Sequence, residues 1–181
     1  MPLTFTHLNR DAAREAVETV ADIYQRSYVE RIAAGAPFYT VERFMHRFDL
    51  YTKRDGFELV IAEADGAPIG QSFGWPLPAD TAWWKGLRTE VPHGFTDEDG
   101  HRTFALSEIM VTEPYQGQGV AHALHDELLK GRPEERATLL VRPDNVAAYA
   151  AYRRWGWHKA AELRPAMTDA PVYDALIKSL R

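Results

Sequence analysis

The chain contains no cysteine, which excludes disulfides, thiolate zinc sites, iron–sulfur clusters and a cysteine nucleophile, and leaves a reducing compartment allowed. It also has no apolar run near the roughly 20 residues that a membrane helix requires. Its opening, Met1-Pro2-Leu3-Thr4-Phe5-Thr6-His7, lacks the basic start and apolar core of an export signal. A soluble, cytoplasmic protein with no membrane partner is the expectation. Nor is there a large excess of one charge. Lys and Arg number 21 against 26 Asp and Glu, for a net charge of −5, so no overall field draws the chain to nucleic acid. A Gly-Lys-Ser/Thr sequence is missing, which excludes a Walker phosphate loop. Internal repeats and low-complexity tracts are missing too.

What is present fits one globular domain spanning 1–181, with 45% hydrophobic and 26% charged residues. Leu3 to Leu8 alternates like a strand, and a helical stripe of Ala13, Val17, Val20, Ile23 and Tyr24 predicts one helix from Asp11 to near Gly35. A second helix is expected over Val41 to Tyr51. Strands Phe57 to Ala64 and Ala67 to Trp75 flank an Asp65-Gly66 turn. Prolines and glycines then interrupt the pattern over about 76–103, an insertion that allows only a short helix through Trp83, Trp84 and Leu87. Regular structure resumes with a strand Phe104 to Val111, a helix from about Gly117 to Lys130, a strand Ala137 to Val141 and a helix Asn145 to Trp155. Trp157 to Leu163 follows, and Val172 to Leu180 fits strand or helix equally. Helices interleaved with strands predict an α/β fold with a mixed sheet.

The chemistry concentrates where the strand ending Glu108-Ile109-Met110-Val111 leads through a turn into Gln116-Gly117-Gln118-Gly119-Val120-Ala121. Glycines there let backbone N–H groups converge at the positive end of a helix, which suits a pyrophosphate. A dinucleotide fingerprint fits poorly, because His122 occupies the position where a third glycine or alanine would be needed. The spacing Gln116, Gly119, Ala121 instead matches Q/R-x-x-G-x-G/A. Downstream, Asn145, Ala148, Tyr152, Gly156 and Trp157 match Asn-x-x-Ala-x-x-x-Tyr-x-x-x-Gly-aromatic. Through these two motifs, over residues 104 to 160, the chain resembles the GNAT superfamily of acyl-CoA-dependent N-acyltransferases.

The resemblance implies a mixed, mostly antiparallel sheet with helices on both faces and a splayed central strand pair holding CoA. It implies acetyl-CoA as the acyl-donor cosubstrate, its pyrophosphate held by Gln116, Gly117, Gln118, Gly119, Val120 and Ala121. Asn145 would contact the pantetheine arm, although the same residue is a good helix cap. A backbone N–H of Met110 or Val111 would meet the oxyanion. Tyr152 would protonate the departing thiolate, its phenol with a pKa near 10 being a proton donor at neutral pH. The alternative for Tyr152 is a core aromatic beside Tyr149 and Trp155. A non-catalytic acyl-CoA sensor of the same fold is the rival function.

Acylating an amine also needs a base, or a water relay, to remove a proton from nitrogen. Glu108, on the strand entering the glycine loop, is the leading candidate, with His93 and His101 of the insertion as weaker alternatives; a structural ion pair with Arg142 or Arg102 is the alternative for Glu108. The acceptor, a small molecule or a peptide amine, is expected against Trp75, Trp83, Trp84 and Glu108. Around these, Asp80, Glu90, Asp97, Glu98 and Asp99 of the insertion outnumber Lys85, Arg88 and Arg102, which suits a cationic amine. A surface loop packed on the core or on a second copy of the chain, as a homodimer, is the alternative. His122 and His125 lie three apart on a helix, but with no convincing carboxylate at a third vertex they predict a solvated face and no metal.

Overall fold

The computed structural model describes residues 2–181 and holds seven strands in the order β1-β2-β3-β4-β5-β7-β6. The chain separates into two compact units, Met1–Trp75 with Ser107–Gly131, and Pro76–Leu106 with Arg132–Arg181. The strand β4 (Thr103–Val111) belongs to the second unit by its first residues and to the first by its last. No helix among the described residues is long and apolar enough to cross a membrane.

In the first unit, β1 (Leu3–Asn9) pairs antiparallel with β2 (Glu58–Ala64), and β2 with β3 (Ala67–Pro76). The β2–β3 turn is Asp65-Gly66, both residues at positive φ, 50° and 77°, which is the backbone that right-twisted hairpins favour. The helix expected from Asp11 to Gly35 is three pieces: α1 (Arg10–Glu15), α2 (Val17–Ser27) and α3 (Val29–Ala33). It breaks at Ala16 and Tyr28, neither of which keeps helical dihedrals. The apolar stripe continues across the breaks, so periodicity alone does not reveal them. α4 (Val41–Thr52) is capped by Thr40, whose hydroxyl accepts from the Arg43 N–H.

These helices cover one face of the sheet with aromatic rings. Tyr24 stacks on Phe44 at 3.9 Å between centroids, and Phe48 meets Phe73 edge-on at 5.4 Å. On the same face the buried Gln71 amide donates to the Val20 carbonyl at 3.1 Å. The opposite face takes α5 (Val120–Leu129), whose Leu124 approaches Gly70 so closely that a Cβ there would lie 3.0 Å from it and 2.9 Å from the Met110 carbonyl. Strand alternation explains the division, since Gln71 and Phe73 point one way and Gly70 the other.

The second unit is built on β5 (Arg136–Val141), which pairs antiparallel with β7 (Tyr173–Ser179), itself paired with β6 (His158–Leu163). The ambiguous C-terminal segment is therefore a strand. β5 runs parallel to β4 over Thr103–Ala105 with Arg136–Thr138, and the paired register stops there. α6 (Val146–Arg154) follows β5. The insertion is irregular but tied down. Arg88 N–H donates to the Glu162 carbonyl at 2.8 Å, and Arg164 N–H to Gly86 at 2.9 Å. A Cβ on Gly86 would sit 1.7 Å from the Arg164 carbonyl, so only glycine permits that approach.

One carboxylate anchors the insertion. The fully buried Glu98 Oε1 accepts from Trp84 Nε1 at 3.1 Å, Thr103 Oγ1 at 2.8 Å and Arg136 NH2 at 3.1 Å. Arg136 also donates to Thr103 Oγ1 at 2.8 Å and to the Phe95 carbonyl at 2.6 Å. Removing the carboxylate leaves Arg136 buried without its counter-charge. Glu98→Ala is therefore expected to destabilise the chain by about 3–5 kcal/mol, measured by urea unfolding.

Candidate active site

β4 is buried at both ends but only half-buried at Ser107, Glu108 and Ile109. The carboxyl of Glu108 thus stays reachable by solvent while protein packs closely around it. That desolvation pushes its pKa up to about 7, opposed by the positive charge of Arg47. The alternative of an ion pair with Arg142 or Arg102 is not what the structure holds. Arg142 pairs with Asp144, whereas Arg102 donates to the carbonyls of Gly94 and Asp97, both at 2.7 Å. Among the described residues Glu108 makes no ion pair and no side-chain hydrogen bond.

Around Glu108 the first unit gathers groups that sequence reasoning missed. The Tyr51 hydroxyl bonds with Ser107, and burial, with the charge of Glu108 adding to it, pushes its pKa up to about 12. Tyr24 is raised for the same two reasons, in the same order, and its hydroxyl donates to the Tyr39 carbonyl at 3.0 Å. Both phenols are therefore neutral donors at physiological pH. Helical spacing placed Tyr24 and Tyr51 only on expected helices and did not single out Arg47, because periodicity does not distinguish a residue buried in a core from one buried around a titrating group.

Beyond β4 the chain makes a single 3₁₀ turn (Glu113–Tyr115) and enters the glycine loop. Gln116 Nε2 donates to the Val111 carbonyl and Gln118 Nε2 to that of Pro114, both at 2.8 Å, so these side chains brace the loop from outside. Gly117 and Gly119 have φ of 73° and 84°, with nothing within 4 Å of a Cβ at either. Their left-handed backbone, rather than lack of space, explains the glycines. It also moves the start of α5 to Val120, past the expected Gly117. Gly119 is the N-cap and offers no capping side chain, so the first-turn N–H groups are available to an anion. An exposed loop of this kind fits a pyrophosphate.

The sequence-expected residues divide between the units. Glu108, Met110, Val111, Gln116 to Ala121 and Trp75 lie in the first, and Trp83, Trp84, Asn145 and Tyr152 in the second. Trp75 is buried and stacks on Tyr51 at 4.7 Å. Trp84 is buried too, and its indole is engaged by Glu98, Phe95 and Arg136. Trp84 and Glu98 thus hold the insertion together and are not open groups awaiting an amine. Trp83 is half-buried. Asn145 caps α6, its Oδ1 accepting from the Ala148 N–H at 3.3 Å. Tyr152 is half-buried, edge-on to Trp155 at 5.5 Å and Trp157 at 6.3 Å, whereas the Tyr149 hydroxyl donates to Asp174 at 2.9 Å. A carboxylate does reach both α5 histidines: Asp126 lies 2.8 Å from His125 Nδ1 and 3.4 Å from His122 Nε2. The Asp126 carboxylate hydrogen-bonds the His125 ring at 2.8 Å.

A sequence profile described as the acetyltransferase (GNAT) family matches residues 17–157. No curated protein matches the chain in sequence. Solved structures resemble it over nearly their whole length. A Pyrococcus horikoshii OT3 protein superposes with a TM-score of 0.67 at 16% identity, covering 98% of each chain. The PaiA N-acetyltransferase of Thermoplasma acidophilum, in complex with coenzyme A, gives 0.60 at 13% identity over 99% of each chain. The ribosomal-protein-S18-alanine N-acetyltransferase of Escherichia coli gives 0.60 at 19%, covering 97% of this chain and 91% of its own. At such identities the likeness is one of fold.

Two outcomes are expected. Valine at position 119 cannot adopt left-handed dihedrals without strain, so Gly119→Val weakens coenzyme A binding by at least about tenfold, measured by titration calorimetry. Glu108 holds its proton more tightly in the folded chain than in the unfolded one, so ionising it between pH 4.5 and about 7 costs stability. Glu108→Gln should therefore raise the melting temperature at pH 8, an advantage that fades as the pH falls towards 4.5.

Proposed function

Because the chain belongs to the acetyltransferase (GNAT) family, we propose that it moves an acetyl group from acetyl-CoA to a primary amine by direct attack in a ternary complex, the whole chain acting as one transferase domain. Glu108 carries the proposal: a carboxyl without a protein partner, reachable by solvent and titrating near neutrality, is suited to take a proton from an ammonium group. The neutral nitrogen then forms the C–N bond as the C–S bond breaks. The N–H of Met110 or Val111 faces the carbonyl oxygen as negative charge develops there. Tyr152 gives its phenolic proton to the departing thiolate. No covalent enzyme intermediate is involved.

Further features support CoA as cosubstrate. The glycine loop presents backbone N–H groups and no capping side chain. α6 has no fully buried residue along its length, and its Ala148 and Tyr152 side is assigned to the pantetheine arm, with Asn145 at its start. Trp75, and Trp83 from the insertion, are the aromatic groups assigned to the acceptor side, and no metal takes part.

Thiol release from acetyl-CoA over a panel of amines tests the proposal. Turnover on at least one amine is expected; binding of acetyl-CoA with no turnover would instead mark a sensor. Tyr152→Phe should lower kcat by about 10²–10⁴-fold, as loss of a general acid does, with coenzyme A affinity unchanged. The rate should fall below about pH 7, where Glu108 is protonated, and Glu108→Gln should remove that acid limb.

A further inference from the structure

The first two turns of α5 bring three metal-ligating side chains to one place. His122, His125 and Asp126 stand at positions i, i+3 and i+4, which share a helix face. Asp126 Oδ1 lies 2.8 Å from His125 Nδ1, and Asp126 Oδ2 lies 3.4 Å from His122 Nε2. The two rings are 6.0 Å apart between centroids. One ligand atom from each of the three residues falls within 4.8 Å of the other two, and among the described residues no other group of His, Asp and Glu side chains converges in this way. Around a tetrahedral zinc, ligand atoms about 2.0–2.2 Å from the ion stand roughly 3.3 Å from one another. The two separations that Asp126 makes lie on either side of that value.

His125 does not lie on a solvated face: it is 2% exposed, so packing holds its ring in one place. A ligand fixed in advance loses little conformational freedom when an ion binds. His122 and Asp126 have side chains 50% and 61% accessible, so an ion reaches the group directly from solvent. Glu127, the next acid on α5, is committed elsewhere, to His7 Nε2 at 3.0 Å and Lys130 Nζ at 3.8 Å. Three protein ligands therefore face the ion, and water completes its shell. The group around His7 shows the contrast. Its carboxylates, Glu58 and Glu127, lie on different nitrogens of the one ring, at 2.7 Å and 3.0 Å, so they do not converge on a common point.

We propose that His122, His125 and Asp126 form a binding site for a divalent ion of the zinc class, held by two imidazole nitrogens and one carboxylate oxygen. Such a donor set suits zinc, nickel or cobalt, whereas magnesium and calcium take oxygen ligands. The ion takes the place of the Asp126 carboxylate as the direct partner of both rings and joins the first turn of α5 to the second. All three ligands belong to one helix of the first unit, and none is a residue assigned to acetyl transfer. The site is therefore independent of that reading, and its ion supplies no step of the reaction.

The test titrates the whole untagged chain, stripped with a chelator and exchanged into chelator-free buffer, with zinc chloride by calorimetry. One ion per chain should bind with a Kd of about 10 µM or tighter, and the melting temperature should rise with zinc concentration, because an ion that binds only the folded chain stabilises it. Cobalt in place of zinc should give visible absorption bands, which report nitrogen and oxygen ligation directly. His122→Ala and Asp126→Asn should each weaken zinc binding at least about tenfold. Both positions are exposed, so these variants fold, whereas His125→Ala opens a buried site and is not needed for the decision. His7→Ala, at the other histidine–carboxylate group, should leave zinc affinity unchanged. Absence of binding at 100-fold above that Kd would overturn the proposal. So would an affinity that survives either His122→Ala or Asp126→Asn, one that is lost in His7→Ala, or equal binding of magnesium or calcium.

Discussion

A central strand that is covered at both ends and uncovered in the middle is the constraint on which the rest of the first unit depends. Burial of β4 up to Leu106 and again from Met110 keeps the strand in place, and the opening at Ser107 to Ile109 leaves one carboxyl in a setting where water and protein both reach it. Desolvation there raises the pKa of Glu108 to about 7. That is a cost to folding accepted at one position, and the aromatic packing of α2 and α4 against β3 provides the surroundings that impose it. Under the proposed function, stability and reactivity are set against each other at this one side chain.

Anion binding is handled in a different way from acid–base chemistry. The glycine loop carries no Lys or Arg, and under the proposed function what it offers a phosphate is the backbone N–H groups at the start of α5. This is how a chain with a net charge of −5 can belong to a family built around a highly anionic cosubstrate. The insertion uses its charges differently again. Glu98 and Arg136 are buried against each other, and the three donors on one carboxylate oxygen fix a segment that has almost no regular structure of its own.

Much of this was legible in the residues. The Asp65-Gly66 hairpin, α4, β5 and the cap at Asn145 follow from local chemistry, and each lies where it was expected. The glycine loop and the run from Asn145 to Trp157 carried the family. Local chemistry was insufficient at the breaks in the first helix, because an apolar stripe has no gap at Ala16 or Tyr28. It was insufficient at residues 173–179, where pairing with β5 and β6 selects a strand. The carboxylate beside His122 and His125 was overlooked although it is the next residue, Asp126.

By itself the sequence determined which groups could act: no thiol, a glycine-rich helix start, a carboxyl in a strand and a tyrosine on a helix. Those are properties of residue type and of spacing along the chain. Only the tertiary structure decided which charges are used up and which remain open. Glu98 and Trp84 looked like acceptor contacts and are packed together inside the insertion, while Arg47, which no sequence pattern singled out, is buried on α4 against Phe38. Burial and pairing depend on what distant segments bring to the same place, and no spacing along the chain records that.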